Sequence, residues 1–270
     1  MKIKEKIGLL GVGNMGAAII EGLLEKKIAK PSQIYVCDKI SQKATQFAAK
    51  WKVQQVPYAA SLVSLTNVIL LAIKPQDLSE LGHGLKINLQ KKEYTIISIL
   101  AGIPIEKIKN AVGKKAHVVR AMPNLGAKVG ESITALTSTT PKSLKIAKKI
   151  FSGCGETVVL EEKYFDLVTA VSGSGPAYFF LLMELLSQAA QKGGLSKASA
   201  DLLAIQTAAG AARLAQTSQA QPAELRQMVT SKKGTTDAAL QYLSKKSFGP
   251  IFIEAVHQAM KRAKQLSQLS

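Results

Sequence analysis

Apolar and polar positions follow two different rhythms along this chain. Up to about residue 160, short β-rich runs recur at Ile7-Leu10, Ile34-Cys37, Val68-Ala72, Thr95-Ile99, Val118-Ala121, Ile133-Thr137 and Val158-Leu160, several of them apolar on both faces. Between them the spacing is helical, near 15–27, 41–51, 76–88, 104–111 and 141–152. A strand that is apolar on both faces needs cover on both sides, and alternation of strand with helix builds a mostly parallel sheet with helices on each face. Residues 1–160 are therefore expected to form an α/β, doubly wound domain, with the last strand or two free to run antiparallel at an edge.

From about 161 the β-rich runs stop. Helical spacing follows near 163–171, 176–192, 196–217, 222–229, 235–244 and 249–267, broken at Gly193-Gly194, Pro222, Gly234 and Gly249-Pro250. Ala177 to Ala190 is apolar nearly all round, and Ala200 to Ala215 is dense in small residues, including Ala204, Ala208, Ala209, Gly210, Ala211 and Ala212. Helices apolar on every side need burial on every side, and small side chains let helices approach closely. The expectation for 161–270 is an all-helical dimerisation domain, buried against its own copy across a symmetric interface. A self-contained bundle is the simpler alternative.

Where the two rhythms meet lies Val171-Ser172-Gly173-Ser174-Gly175-Pro176-Ala177-Tyr178-Phe179-Phe180. Pro176 suits the first turn of a helix, and Ser174 is placed to cap its free amides. The expectation is a helix start with bare backbone, open to a carboxylate or phosphate.

The chain of 270 residues has a formal net charge of +18. Only Arg120, Arg213, Arg226 and Arg262 are arginines; the lysines are scattered through every segment. Specific nucleic-acid readers concentrate arginine forks and aromatics on one face, so this charge reads as a solvated surface that draws in anionic cofactors, with no specific nucleic acid as partner. No apolar run approaches the roughly 20 residues of a membrane span, and the N-terminus lacks a signal-peptide pattern. The expected location is cytoplasmic, with no membrane partner. Cys37 and Cys154 lie in no metal or redox spacing and are expected as two buried, reduced thiols. His83, His117 and His257 form no triad or metal pattern, and no metal site is expected.

Three stretches carry chemistry. Gly11-Val12-Gly13-Asn14-Met15-Gly16 follows the first strand and opens the first helix. In this Rossmann-type arrangement Gly11 permits the turn, Gly13 lets a pyrophosphate reach the backbone, and Gly16 lets the helix pack close to the strand. Asp38 ends the second strand, where a carboxylate accepts from the adenosine ribose hydroxyls and disfavours a 2′-phosphate, but Lys39 and Lys43 beside it would attract that phosphate. NADH and NADPH both remain open. Ala72-Ile73-Lys74-Pro75-Gln76, Ile99-Leu100-Ala101-Gly102 and Arg120-Ala121-Met122-Pro123-Asn124 end three further strands, where ligands of open α/β sheets bind. Val229-Thr230-Ser231-Lys232-Lys233-Gly234-Thr235-Thr236 is a second turn opening a helix, suited to a small carboxylate.

Taken together and in this order, these stretches resemble the pyrroline-5-carboxylate reductase family over essentially the whole chain. The resemblance implies a Rossmann domain followed by a helical domain that interleaves with its twin, and an assembly of homodimers, in many members a decamer of five dimers. It implies that Gly11, Val12, Gly13, Asn14, Met15, Ile73, Lys74 and Ala101 line NADPH or NADH; Asp38, Lys39, Ala72 and Pro75, at the strand ends, are expected to line it with them. It implies that Ser231, Thr235 and Thr236 receive the carboxylate of 1-pyrroline-5-carboxylate, with Glu162 near the substrate ring; Gly234 in the same turn is expected to join them, and Thr236 is the group expected closest to the ring nitrogen, directly or through a water. The implied reaction is hydride transfer to C5 of the cyclic imine, giving L-proline. Two departures stand out. The family usually reads Ser-Pro-Gly-Gly where this chain has Ser231-Lys232-Lys233-Gly234, and many members have a neutral or basic residue in place of Asp38.

The rival enzyme class is the β-hydroxyacid dehydrogenases, which share a similar glycine loop but place a catalytic lysine four residues after the last glycine of the knot. That position is Phe179 here. An alcohol substrate needs a base to take its proton and an imine does not, so the rival fails at this residue. A nucleotide-binding regulator without turnover is the non-enzyme reading, favoured only by Lys232 and Lys233.

Overall fold

A computed structural model describes residues 2–82 and 93–269. The chain divides into two compact units, one of residues Met1–Gly173 with Ala259–Ser270 and one of residues Ser174–Gln258.

The first unit is built on an eight-stranded sheet: β1 (Ile7–Leu10), β2 (Ile34–Cys37), β3 (Gln54–Gln55), β4 (Val68–Leu71), β5 (Thr95–Ser98), β6 (His117–Met122), β7 (Ser132–Ser138) and β8 (Gly155–Val159), in the spatial order β3-β2-β1-β4-β5-β6-β7-β8. Strands β1 to β6 are parallel; β7 pairs antiparallel with β6, and β8 runs parallel to β7. The reversal follows from the short connection at 123–131, which returns beside β6, whereas β7 and β8 are joined through a helix.

Side chains alternate between two apolar layers. Leu9, Val36, Leu70, Ile97 and Val119 point to one core with Ile19, Ile20, Leu23 and Phe151 from the helices α1 (Asn14–Glu25) and, later in the chain, Pro141–Phe151. Leu10, Cys37, Leu71, Ile96 and Val118 point to the other, with Leu62 and Val63 from Ala59–Leu65 and Ile108 and Val112 from Ile105–Val112. This period of two, with helices on both faces, produces the Rossmann-type architecture that the double-sided apolar runs require. In chain order four further helices of this unit are α2 (Ser41–Trp51), α3 (Ala59–Leu65), α4 (Ile105–Val112) and α5 (Pro141–Phe151). The helix expected near 76–88 begins with the turn Pro75–Asp77 and is helical through 82, and its remainder lies outside the described residues. Strand β3 and helix α3 were not foreseen. Two exposed glutamines and a seven-residue helix give too little apolar periodicity to register.

The second unit contains α6 (Gly175–Lys192), α7 (Lys197–Thr217), α8 (Pro222–Met228), α9 (Thr235–Lys245) and the first half of α10 (Phe248–Leu269). Ser196 caps α7 by accepting from the Ser199 amide at 3.3 Å. Helices α6 and α7 are tied by Ser187, whose hydroxyl donates to Asp201 Oδ1 at 2.6 Å. The break expected at Gly249-Pro250 falls two residues earlier, at Ser247 with φ +59°, and Pro250 sits in the first turn of α10.

The glycine-serine knot departs from its expected form. Phe165–Val168 is helical, Thr169–Gly173 forms a π turn, and Ser174 has helical angles, φ −82° and ψ −20°, with no side-chain cap bond to α6. The helix therefore enters through the knot rather than starting after it, and its first amides are not bare. The hydroxyls of Thr169 and Ser172 donate to the carbonyls of Phe165 and Val168 at 2.8 Å and 3.0 Å, which accommodates the widened turn. Carried through in this way, Glu162–Lys192 makes 31 residues that are long and apolar enough to cross a membrane by length and composition. This corrects the expectation that no run approaches that size, which had broken the helix at Gly173–Pro176. In the single chain Phe179, Phe180, Leu181, Leu185 and Leu186 of α6 and Leu202, Leu203 and Ile205 of α7 are exposed.

Candidate active site

The carboxyl ends of β1, β2, β4 and β5 point the same way, and the chain leaves them in loops that are hydrogen-bonded to one another. The Gly11 amide donates to the Cys37 carbonyl at 2.9 Å, the Ala72 amide to Leu10 at 2.8 Å and the Ile99 amide to Leu71 at 3.1 Å. Gly11 has φ +97°, a left-handed conformation costly for other residues, and an added Cβ would lie 2.5 Å from the Ala72 carbonyl oxygen. A Cβ on Gly13 would meet nothing within 4 Å, so open space lies over the loop where a ligand would approach its backbone. Helix α1 starts directly behind, and the amides of its first turn have no partner within the helix.

Asp38 braces this loop. Its Oδ2 accepts from the Val12 amide at 2.7 Å and its Oδ1 from the Ile40 amide at 2.8 Å. A cavity of about 500 Å³ opens beside it, lined by Gly11, Asp38, Lys39, Tyr58, Asp77 and Glu80 among others. The structure thus brings Asp38, Lys39 and Ile73 to one cavity. The glycine turn, the open face at Gly13 and the carboxylate at the end of β2 fit the pyrophosphate and ribose of a nicotinamide dinucleotide. The Tyr58, Asp77 and Glu80 wall was not legible in the sequence. Tyr58 precedes the unforeseen α3, and Asp77 and Glu80 follow Lys74-Pro75, whose turn hands them back to the pocket.

Cys37 lines the same cavity, and burial, followed by the Asp38 charge, raises its thiol pKa. Cys154 is fully buried below the sheet, and burial pushes its thiol up to about 11. Neither is in a disulfide.

At the next strand ends, Lys74 is exposed ahead of the Pro75–Asp77 turn, and Ala101 lies exposed beside Gly102. That loop is pinned from behind: Gly102 has φ +76°, an added Cβ there would lie 3.2 Å from the Ser267 amide nitrogen, and Lys107 Nζ donates to the Ser267 carbonyl at 2.9 Å. From β6, the buried Arg120 donates to Glu162 Oε1 at 3.2 Å and lies 4.8 Å from the Phe165 ring centre. The same Glu162 oxygen accepts from the Ile105 amide at 2.7 Å. His117 and His257 face Glu93 and Glu254, and among the described residues no cluster could hold a metal ion.

In the second unit, the Gly234 amide donates to the Ser231 carbonyl at 2.9 Å, closing a turn that leads into α9. A Cβ on Gly234 would lie 2.3 Å from Ser231 Oγ. Lys233 occupies the left-handed region, φ +62°, and its amide donates to Asp237 Oδ2 at 3.0 Å. The loop therefore reaches its turn without glycine at 233, at the cost of a side chain in a disfavoured conformation. Ser231, Thr235 and Thr236 sit at the start of α9, and Gly234, at the capping position before it, offers no side-chain cap.

A parallel sheet with a glycine turn at its switch point, a helix start behind it and an acid at the end of β2 defines a Rossmann-type nicotinamide-dependent oxidoreductase. Residues 6–102 match the family described as NADP oxidoreductase, coenzyme F420-dependent, and residues 162–266 match pyrroline-5-carboxylate reductase dimerisation. The chain belongs to the pyrroline-5-carboxylate reductase family. It is 34% identical to pyrroline-5-carboxylate reductase 2 of Bacillus subtilis over 98% of this chain and 96% of that one, and 36% identical to the Methanosarcina acetivorans enzyme over 98% of each. Its fold matches the pyrroline-5-carboxylate reductase of Coxiella burnetii with a TM-score of 0.92 and 33% identity, covering 98% of this chain and 99% of that chain. It matches the Plasmodium falciparum pyrroline carboxylate reductase, solved with NADP bound, with a TM-score of 0.86 and 28% identity, over 99% of this chain and 100% of that chain.

Proposed function

We infer that this protein reduces the C=N bond of 1-pyrroline-5-carboxylate to L-proline, the last step of proline biosynthesis. NAD(P)H, when bound, supplies the hydride delivered to C5. The imine nitrogen takes a proton, so the chain's work is to orient two ligands and exclude water rather than to abstract a proton. Gly11 and Val12 form the turn that brings the chain up to the pyrophosphate, Gly13, Asn14 and Met15 present backbone amides to it, Asp38 and Lys39 face the ribose, and Ala72, Ile73, Lys74, Pro75 and Ala101 line the strand ends toward the nicotinamide. Ser231, Gly234, Thr235 and Thr236 hold the substrate carboxylate at the start of α9, where unpartnered amides and the helix dipole favour an anion. Thr236 stands closest to the ring nitrogen, directly or through a water. Glu162 lies on the substrate side and is held there by Arg120 and the Ile105 amide.

The observation that carries this reading is the turn at 231–236. It keeps a glycine packed directly against the Ser231 hydroxyl and leads into a helix without a side-chain cap, even with lysines at 232 and 233. Residues 1–160 serve as the dinucleotide-binding domain and 161–270 as the dimerisation and substrate domain. The exposed apolar faces of α6 and α7 are the homodimer surface, and five such dimers would form a decamer. We place the enzyme in the cytoplasm.

Absorbance at the reduced-nicotinamide band, followed with purified protein and 1-pyrroline-5-carboxylate, tests the reading. Oxidation of NADH or NADPH that depends on the imine is expected. Binding of nucleotide without turnover would instead favour a regulator in which Lys232 and Lys233 have disabled the substrate turn.

A further inference from the structure

We propose that Asp38, with Glu80 and Asp77 lining the same cavity, makes this protein an NADH-preferring member of its family. The proposal rests on the cofactor reading above and concerns the adenosine end alone.

Asp38 is held at both oxygens, by the Val12 amide at 2.7 Å and the Ile40 amide at 2.8 Å. Two amide bonds fix the orientation of the carboxylate and leave it further lone pairs. Those lone pairs suit donors, which the 2′- and 3′-hydroxyls of a ribose are. A 2′-phosphate offers no comparable donor and brings nearly two negative charges to a carboxylate that cannot swing away without releasing the glycine loop.

The rest of the wall decides whether a cation compensates. Among the described residues lining the cavity, Lys39 is the one cation, against the carboxylates Asp38, Asp77 and Glu80. Lys39 Nζ lies 3.7 Å from Glu80 Oε2, and both side chains are exposed, so the pair itself contributes little to stability. Its consequence is local: the lysine that would receive a 2′-phosphate already has a carboxylate beside it. Lys43, the other candidate in the sequence, lies on the exposed side of α2 and does not line the cavity.

The test uses the full-length protein and two fragments without nicotinamide, ADP-ribose and its 2′-phosphate, measured by titration calorimetry at fixed ionic strength. ADP-ribose is expected to bind at least about tenfold more tightly, as a clash of charges a few ångströms apart near a protein surface implies. Glu80→Gln, an exposed change that leaves the glycine loop alone, should narrow that ratio several-fold by freeing Lys39. Asp38→Ser should narrow it further. Equal or tighter binding of the 2′-phosphate by the wild type, or a ratio unmoved in Glu80→Gln, would overturn the proposal. The fragments do not turn over, so this result is independent of the imine reductase assay: failure there with the expected fragment ratio would remove the reaction and keep the pocket.

Discussion

Arg120 and Glu162 meet at 3.2 Å across 42 residues of sequence, joining the end of β6 to the segment that leads into the long helix. The arginine side chain is 7% exposed and the glutamate 34%. The arginine also lies over the Phe165 ring, so its charge is held by one carboxylate and one aromatic face. Removing the carboxylate would leave a buried cation unpaired. Glu162→Ala is expected to destabilise the protein by about 2–3 kcal/mol, below the range for a fully buried pair because the glutamate is part-exposed. Urea unfolding checks the value, and a Glu162→Ala/Arg120→Met double variant should recover part of the loss. A rise in substrate KM in Glu162→Gln at unchanged nucleotide affinity would separate its substrate-side role from this structural one.

Thr236 lies in the first turn of α9, from which its proposed role takes its hydroxyl to the ring nitrogen. Its replacement by alanine removes a hydroxyl and leaves the helix start in place. The expected result is a higher KM for 1-pyrroline-5-carboxylate and a kcat lowered by about tenfold, the scale of one hydrogen bond to a charged group. Nucleotide binding should be untouched. Wild-type kinetics in this variant would refute the role.

The same turn predicts a variant that gains stability. Lys233 sits at φ +62°, where a non-glycine residue costs on the order of 1 kcal/mol. Glycine avoids that cost but is more flexible when unfolded, so Lys233→Gly should stabilise by several tenths of a kcal/mol. The hydrogen bond that the residue 233 amide donates to Asp237 Oδ2 is retained, and substrate KM should not rise. Thermal unfolding and steady-state kinetics on one preparation check both. Gly234→Ala is the contrasting change: its methyl would fall 2.3 Å from Ser231 Oγ and 3.0 Å from the Ser231 carbonyl oxygen, so the Ser231 hydroxyl must rotate away and substrate affinity should fall.

These elements show what the sequence could and could not convey. β1 and β2 were read to the residue because a strand covered on both faces is apolar throughout and bounded by glycine or charge. The dinucleotide loop was legible because its glycines answer to backbone geometry that only glycine satisfies cheaply. The cavity wall at Tyr58, Asp77 and Glu80 was not, because Tyr58 comes from the loop ahead of α3 and Asp77 and Glu80 from the first turns of the helical stretch after β4, and they meet only when the sheet is assembled. The π turn at Thr169–Gly173 was missed for another reason. Serine, glycine and proline are the same residues that begin a helix, and composition does not distinguish an entry from a widened turn within one.

Burial gives a chemical prediction at Cys154. Its thiol is fully buried and raised to about 11, so almost none is thiolate at pH 8, and the folded protein should resist iodoacetamide there. The sign for stability follows. A thiol whose folded pKa lies above its unfolded value of 9.0 adds stability that is fully present below pH 9 and is lost as the pH rises towards 11. Unfolding free energy measured from pH 8 to pH 11 should fall, and Cys154→Ala should show a shallower decline over that window.

The exposed apolar helices make the last prediction. Leu202 on α7 is 67% exposed in the single chain, and Phe180 on α6 is 55% exposed. A glutamate at either position costs an isolated chain almost nothing, since water already reaches the site. In a dimer that buries these faces it places a charge in an apolar contact without a partner, which costs several kcal/mol for each copy. Leu202→Glu is therefore expected to give a folded monomer by light scattering, with helical content retained by circular dichroism and imine reduction lost. A variant that remains dimeric and active would show that α7 faces solvent in the assembly, and would leave the self-contained bundle as the better description of this half.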